Sequence, residues 1–189
     1  QTFKEAALQT RFHTKQALHL SVAAGIRSDS IASWLGTQRI VRAMPNTPAL
    51  VGKGMTALFG RPAVTEADRA LVNQVMTPTG QFLWVEDESQ LDAVTALSGS
   101  GPAYVFYFLE AMTQAGADMG LSREQAHRLA VGTFVGASEL AAASDDPPEV
   151  LRQRVTSKGG TTYAAINAFM RALHAARHRA RELGDEFGS

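Results

Sequence analysis

Cysteine is absent from the 189 residues. That excludes disulfide scaffolds, thiol nucleophiles and cysteine-based zinc sites, and it fits a reducing cytoplasm. A charge excess is also lacking, since Lys+Arg and Asp+Glu are both 18. A general binder of nucleic acid or of an anionic membrane surface carries surplus positive charge, so neither partner is expected. No apolar run approaches the roughly 20 residues of a membrane span. The chain opens Gln1-Thr2-Phe3-Lys4-Glu5, without a Met start or a signal-peptide pattern, and reads as a piece of a longer or processed protein. Neither GxGxxG nor the GxxxxGK[ST] phosphate loop occurs. What is present is an ordinary globular balance, 45% hydrophobic and 19% charged, in a length that suits one medium domain or two small ones.

The composition breaks near residue 87. Before it, apolar runs alternate with helical stretches. Residues 18–26 (LHLSVAAGI) read as a buried strand ending in Gly25. Ser28-Asp29-Ser30 then caps a short helix through Leu35, stopped by Gly36. Residues 39–44 (RIVRAM) read as a second strand ended by Pro45-Asn46-Thr47-Pro48, 55–59 as a third and 81–85 as a fourth. Capping chemistry at Thr65–Asp68 opens a helix towards Met76. After residue 87 the strand signals stop. Residues 89–97, 102–119, 123–143, 148–155 and 161–183 carry helical spacing or composition. Two domains are therefore expected, 1–87 with an α/β sheet and 88–189 all-helical. The helical half is rich in small residues (Ala111, Ala115, Gly116, Ala130, Gly132, Gly136, Ala137) and short of a broad core, so it is expected to pack against a partner chain.

Three stretches could carry chemistry. Thr156-Ser157-Lys158-Gly159-Gly160-Thr161-Thr162 sets a glycine pair before a helix, where free amides and the helix dipole favour a carboxylate or phosphate. From spacing alone, a flexible linker with a threonine N-cap is the better reading, because glycine pairs before helices are common. Met44-Pro45-Asn46-Thr47-Pro48 and Ala23-Ala24-Gly25 lie at strand ends, where open α/β sheets bind ligands. A proline-stiffened turn, with Asn46 bonded to its own backbone, is the plainer reading. Ser98-Gly99-Ser100-Gly101-Pro102 reads as a glycine hinge or as a cap with Ser100 at its head. His174, His178 and Glu182 share a helical face, but the arginines crowding that helix disfavour a metal ion there.

Taken together, LSVAAGI (20–26), RIVRAMPNTPALVGKGMTALF (39–59), LDAVTALSGSGPAYVFYFLEAM (91–112) and LRQRVTSKGGTTYAAI (151–166) resemble the pyrroline-5-carboxylate reductases, over nearly the whole chain and in order. The resemblance implies the C-terminal part of a Rossmann-type NAD(P)-binding domain followed by an all-helical dimerisation domain. It implies reduction of 1-pyrroline-5-carboxylate to L-proline with NADPH or NADH, in a homodimer or higher homo-oligomer. It places the substrate carboxylate on Ser157, Gly159, Gly160 and Thr161 with Val155 beside the ring, and Thr162 at the ring nitrogen as the catalytic candidate. Ala23, Ala24, Gly25, Pro45, Asn46 and Thr47 would face the nicotinamide. The family's first strand and GxGxxG turn are not in this sequence, so these 189 residues by themselves are expected not to turn over. After Phe169 the family continues with an acidic residue and a glycine-containing helix break, where Met170-Arg171-Ala172 follows directly here. A non-catalytic dimerising module of the same ancestry and a related imine reductase are the alternative readings.

Overall fold

Residues 40–44 have apolar side chains on both faces of an extended segment, and such a strand is stable only between two covering layers. In the computed structural model, which describes residues 2–168, 170, 171 and 178, this segment is the strand most deeply covered. Its Ile40 joins Ala7, Ile31, Ala32 and Leu35 in one core. Val41 and Ala43 join Leu58, Val72 and Met76 in another. Two compact units are seen, Gln1–Ala115 and Gly116–Ser189.

The first unit runs α1 (Thr2–Thr10), β1 (His19–Ser21), α2 (Ser28–Leu35), β2 (Ile40–Met44), a 3-10 turn (Thr47–Val51), β3 (Gly54–Gly60), α3 (Glu66–Met76), a second 3-10 turn (Thr77–Thr79), β4 (Gly80–Trp84), α4 (Gln90–Val94), a π turn (Thr95–Gly99) and α5 (Gly101–Asp118), whose last turn belongs to the second unit. The sheet order is β1-β2-β3-β4. β1 and β2 are parallel, as are β3 and β4, while β2 and β3 are antiparallel. The connections explain this. Residues 22–39 and 61–79 each carry a helix and can cross over, whereas 45–53 is too short for a crossover and forces a reversal. The sheet is therefore mixed, with α1 and α2 packed on one face and α3 on the other.

Two local expectations are corrected. The strand expected over 18–26 is only three residues, because β2 offers register partners to His19, Leu20 and Ser21 alone and the chain then turns away. The α2 cap is also different. Arg27 takes the N-cap position with no side-chain bond, and the Ser28 hydroxyl is used elsewhere. The Thr65 cap is as read. Its side chain accepts from the Asp68 amide, and the Asp68 carboxylate accepts from the Thr65 amide, closing a capping box.

Asp68 is also gripped by Arg39, whose Nε donates to Oδ2 at 2.9 Å. That guanidinium and the Thr65 amide hold the Asp68 carboxyl well below the usual carboxylate range. Folding therefore gains from ionised Asp68 above its unfolded pKa of about 4 and loses that gain as pH falls towards the lower folded value. Melting temperature should drop as pH is taken from about 5 to about 3, and Asp68→Asn should flatten the drop. An equal slope in the variant would show that this pair does not govern acid stability.

In the second unit, Ser122 and Gln125 form a capping box at the start of α6 (Arg123–Ala143). Ala126 of α6 is buried so near Gly116 that a Cβ on Gly116 would stand 2.7 Å from the Ala126 Cβ. α7 (Pro148–Arg154) and a further helix, α8 over 161–168, follow. No helix among the described residues is long and apolar enough to cross a membrane.

Candidate active site

Because β1 and β2 are parallel neighbours, both leave the sheet at the same carboxyl end. Ala23-Ala24-Gly25 follows β1 there, and Pro45-Asn46-Thr47 follows β2. Ala24 and Gly25 are exposed, and among the described residues no atom beyond the chain neighbours lies within 4 Å of where a Gly25 Cβ would stand. The backbone on this edge is thus open to a flat ring, as a nicotinamide requires. A flat, uncharged ring is compatible with this edge, whereas the GxGxxG turn that holds a dinucleotide's phosphates is not among the residues of this sequence.

Asn46 does not bond its own backbone. Its Oδ1 accepts from the Met55 amide at 2.9 Å, and its Nδ2 donates to the Ser98 carbonyl at 3.2 Å and to Ser98 Oγ at 3.3 Å. The Ser98–Pro102 stretch, read as a glycine hinge, is wound helically and lies within the first unit. Thr95–Gly99 is wound as a π turn, in which the Ser100 amide donates to the Thr95 carbonyl, and it runs straight into α5. Among the described residues the Ser100 hydroxyl has no hydrogen-bond partner and so makes no cap. Gly99 packs on the end of β2, where a Cβ would stand 2.7 Å from Met44 Cε.

Sequence reading missed a second anchor beside this edge. Arg42 is a buried cation on β2, and its Nη1 donates to Glu88 Oε1 at 2.6 Å. Glu88 also accepts from the Ser28 amide and hydroxyl at the start of α2. Burial works against ionising Glu88, but the Ser28 and Arg42 bonds outweigh it and hold the carboxyl below its ordinary value. A charged residue inside an otherwise apolar strand was the available signal, because a buried arginine demands a partner. With Gly25, Arg27, Ser89 and Asp92, this pair lines a polar cavity of ≈ 180 Å³.

In the second unit, Gly160 donates its amide to the Ser157 carbonyl at 3.0 Å, with Gly159 at φ 75. That is a type II turn, whose third position favours glycine. The Ala164 amide donates to the Gly160 carbonyl, so Gly160 is the N-cap of α8 and Thr161 and Thr162 are its first residues. Neither threonine is the N-cap. The leading amides of α8 have no acceptor within the helix and meet the positive end of its dipole. Val155, Ser157, Gly159 and Thr161 are exposed, and Gly160 and Thr162 half-buried. Among the described residues, the Thr162 hydroxyl has no hydrogen-bond partner. Any side chain on Gly160 would run into Ser157.

Among the described residues no His, Asp or Glu cluster is arranged to hold a metal ion. Of the helical face expected at 174, 178 and 182, His174 and Glu182 lie outside the described residues.

A family model described as pyrroline-5-carboxylate reductase dimerisation matches residues 88–183. The pyrroline-5-carboxylate reductase of Pseudomonas aeruginosa is 46% identical over 183 residues, spanning 92% of this chain and 67% of the relative. That of Pisum sativum is 41% identical, spanning 90% of this chain and 65% of the relative. The chain thus spans about two thirds of the length of these curated relatives. Among solved structures, a pyrroline-5-carboxylate reductase of Coxiella burnetii superposes with a TM-score of 0.81 at 38% identity, covering 96% of this chain and 72% of that one. The Plasmodium falciparum pyrroline carboxylate reductase, solved with NADP bound, gives 0.83 at 30%, covering 99% and 77%. With its motifs in order, its mixed sheet followed by helices, and these identities over nearly all of its length, the chain belongs to the pyrroline-5-carboxylate reductase family.

Proposed function

We propose that the protein carrying this chain reduces 1-pyrroline-5-carboxylate to L-proline with NADPH or NADH. The observation that carries this reading is the 46% identity to a pyrroline-5-carboxylate reductase over 92% of the chain, with the glycine-pair turn and both sheet-edge stretches intact.

When bound, the reduced nicotinamide supplies a hydride to the imine carbon. The C=N π electrons then move to nitrogen, which carries or takes up a proton. Ala23, Ala24, Gly25, Pro45, Asn46 and Thr47 would border the nicotinamide. Ser157, Gly159, Gly160 and Thr161 would hold the substrate carboxylate, with the α8 dipole favouring its charge. Val155 would flank the ring. Thr162 would place its uncommitted hydroxyl at the ring nitrogen, orienting it or relaying the proton. The test is oxidation of NADPH and NADH by the complete protein with and without pyrroline-5-carboxylate. Oxidation that does not depend on the imine would overturn the reading.

The active form would be a homodimer or a larger homo-oligomer, joined through residues 88–189. On α5, Tyr104, Phe106 and Tyr107 are more than half exposed, as are Leu129, Val135 and Leu140 on α6. A single chain rarely leaves so much apolar surface in water. Among the described residues, and apart from the helix's own backbone, no atom lies within 4 Å of a Cβ added at Gly132 or Gly136. A Cβ at Gly136 therefore meets nothing among the described residues, and Gly136→Leu is expected to clash where another backbone approaches. Overpacking there should raise the dimer dissociation constant about tenfold to a hundredfold. Sedimentation velocity across a concentration series reads this directly, and an unchanged association would remove α6 from the interface.

A further inference from the structure

We infer that Asn46 acts as a positioning residue, a bracket that joins the ends of two strands to the π turn, and that Pro102 creates the acceptor it needs. The functional part of this inference rests on the proposed placing of the nicotinamide at the Pro45–Thr47 edge.

The sequence makes the acceptor. In a continuing helix the carbonyl of Ser98 would accept from the amide four residues on. That residue is Pro102, which has no N–H. The next amide, that of Ala103, turns to the Ser100 carbonyl at 3.0 Å. The π winding of Thr95–Gly99 widens the turn, and the Ser98 carbonyl is left for an outside donor. Asn46 Nδ2 is that donor, at 3.2 Å. The same side chain accepts from the Met55 amide at the start of β3. Ser98 Oγ closes the triangle, accepting from Asn46 and lying 3.5 Å from the Met55 carbonyl. Gly99 then lets the turn lie on Met44.

Both functional ends of the Asn46 amide are therefore committed inside the protein. A side chain so occupied is poorly placed to read a cofactor, but it fixes the backbone of Pro45, Asn46 and Thr47 against two other segments. An asparagine is required because the bracket needs one acceptor and one donor on the same planar group. Aspartate keeps the acceptor for Met55 and turns a carboxylate oxygen towards the Ser98 carbonyl.

The experiment compares wild type with Asn46→Asp, using the complete protein. Amide hydrogen exchange over residues 95–100 is measured without cofactor, and NADPH binding is measured by fluorescence titration. Loss of this half-buried link should speed exchange over 95–100 by about tenfold and weaken NADPH binding by a similar factor. Weaker NADPH binding with unchanged exchange would make Asn46 a direct ligand and overturn the bracket, as would no change in either. Faster exchange in a protein whose wild type binds neither NADPH nor NADH would uphold the bracket and overturn the nicotinamide placing instead. Ser98→Ala, which removes the side-chain links and keeps the carbonyl one, should give the same change at smaller size. It serves if Asn46→Asp does not fold. A double-mutant cycle gives an independent check. With Pro102→Ala the turn regains an internal donor, so Asn46→Asp should cost less melting temperature in that background than in wild type. Strict additivity would refute the link between Pro102 and Asn46.

Discussion

Thr162→Ala in the complete enzyme is expected to lower kcat by about a hundredfold, the low end of general acid–base effects, because the imine can arrive already protonated. The melting temperature is expected to stay within a few degrees of wild type, since the half-buried Thr162 side chain is small and its hydroxyl makes no bond whose loss would cost stability. The contrast follows from the turn. Gly160 is the N-cap of α8, and the Thr162 hydroxyl has no partner among the described residues. Removing it costs the fold no cap and no internal bond. What it removes is a hydroxyl at the start of a helix whose leading amides are proposed to hold the substrate carboxylate. Steady-state kinetics and a melting curve on one protein preparation decide the matter. A kcat equal to wild type would leave the ring nitrogen without help from this residue, whatever the stability.

The second large effect concerns the fold beneath the site. Gly80 has φ 133 and ψ −143 and is paired with Gly54 across β3 and β4. A Cβ at Gly80 would be driven into the backbone of Gly54, and one at Gly54 would stand 2.7 Å from the Thr79 carbonyl. The backbone lies in a region that residues with a Cβ avoid, so Gly80→Ala combines about 1–3 kcal/mol of strain with about 1–3 kcal/mol of overpacking. That is a large part of the roughly 5–15 kcal/mol that keeps a domain folded. A fall in melting temperature of about 10 °C is expected. The position also bears on function, because Gly54 immediately precedes the Met55 amide that Asn46 holds. An alanine variant that melts with wild type would mean that the two strands separate here without cost.

The carboxylates give the fold a direction of pH sensitivity, and the site shares it. Asp68 and Glu88 are both held below their ordinary values. Each contributes stability in the ionised form, and acid removes both contributions together. Since Glu88 ties Arg42 on β2 to the start of α2, acid loosens the strand that carries Pro45, Asn46 and Thr47 as well as the helix cap at Thr65.

The sequence by itself determined most of the elements. The Thr65–Asp68 cap, the strand over Ile40–Met44 with its proline stop, and the limits of Arg123–Ala143 are set by local chemistry: capping side chains, missing amides and apolar spacing act within a few residues. The motifs, in their order and spacing, also fixed the family. Tertiary structure decided the rest. The strand read over 18–26 stops at Ser21 because pairing needs a neighbour, and the sequence does not say how far β2 extends alongside it. Glu88 lies 46 residues from Arg42, and Ser98 lies 52 from Asn46, beyond the reach of any local pattern. The glycines before Pro102 read as a hinge because glycine permits motion. Instead Gly99 packs on Met44 and Ser98 beside it is held by the Asn46 amide, because a missing side chain lets chain segments meet as readily as it lets them move.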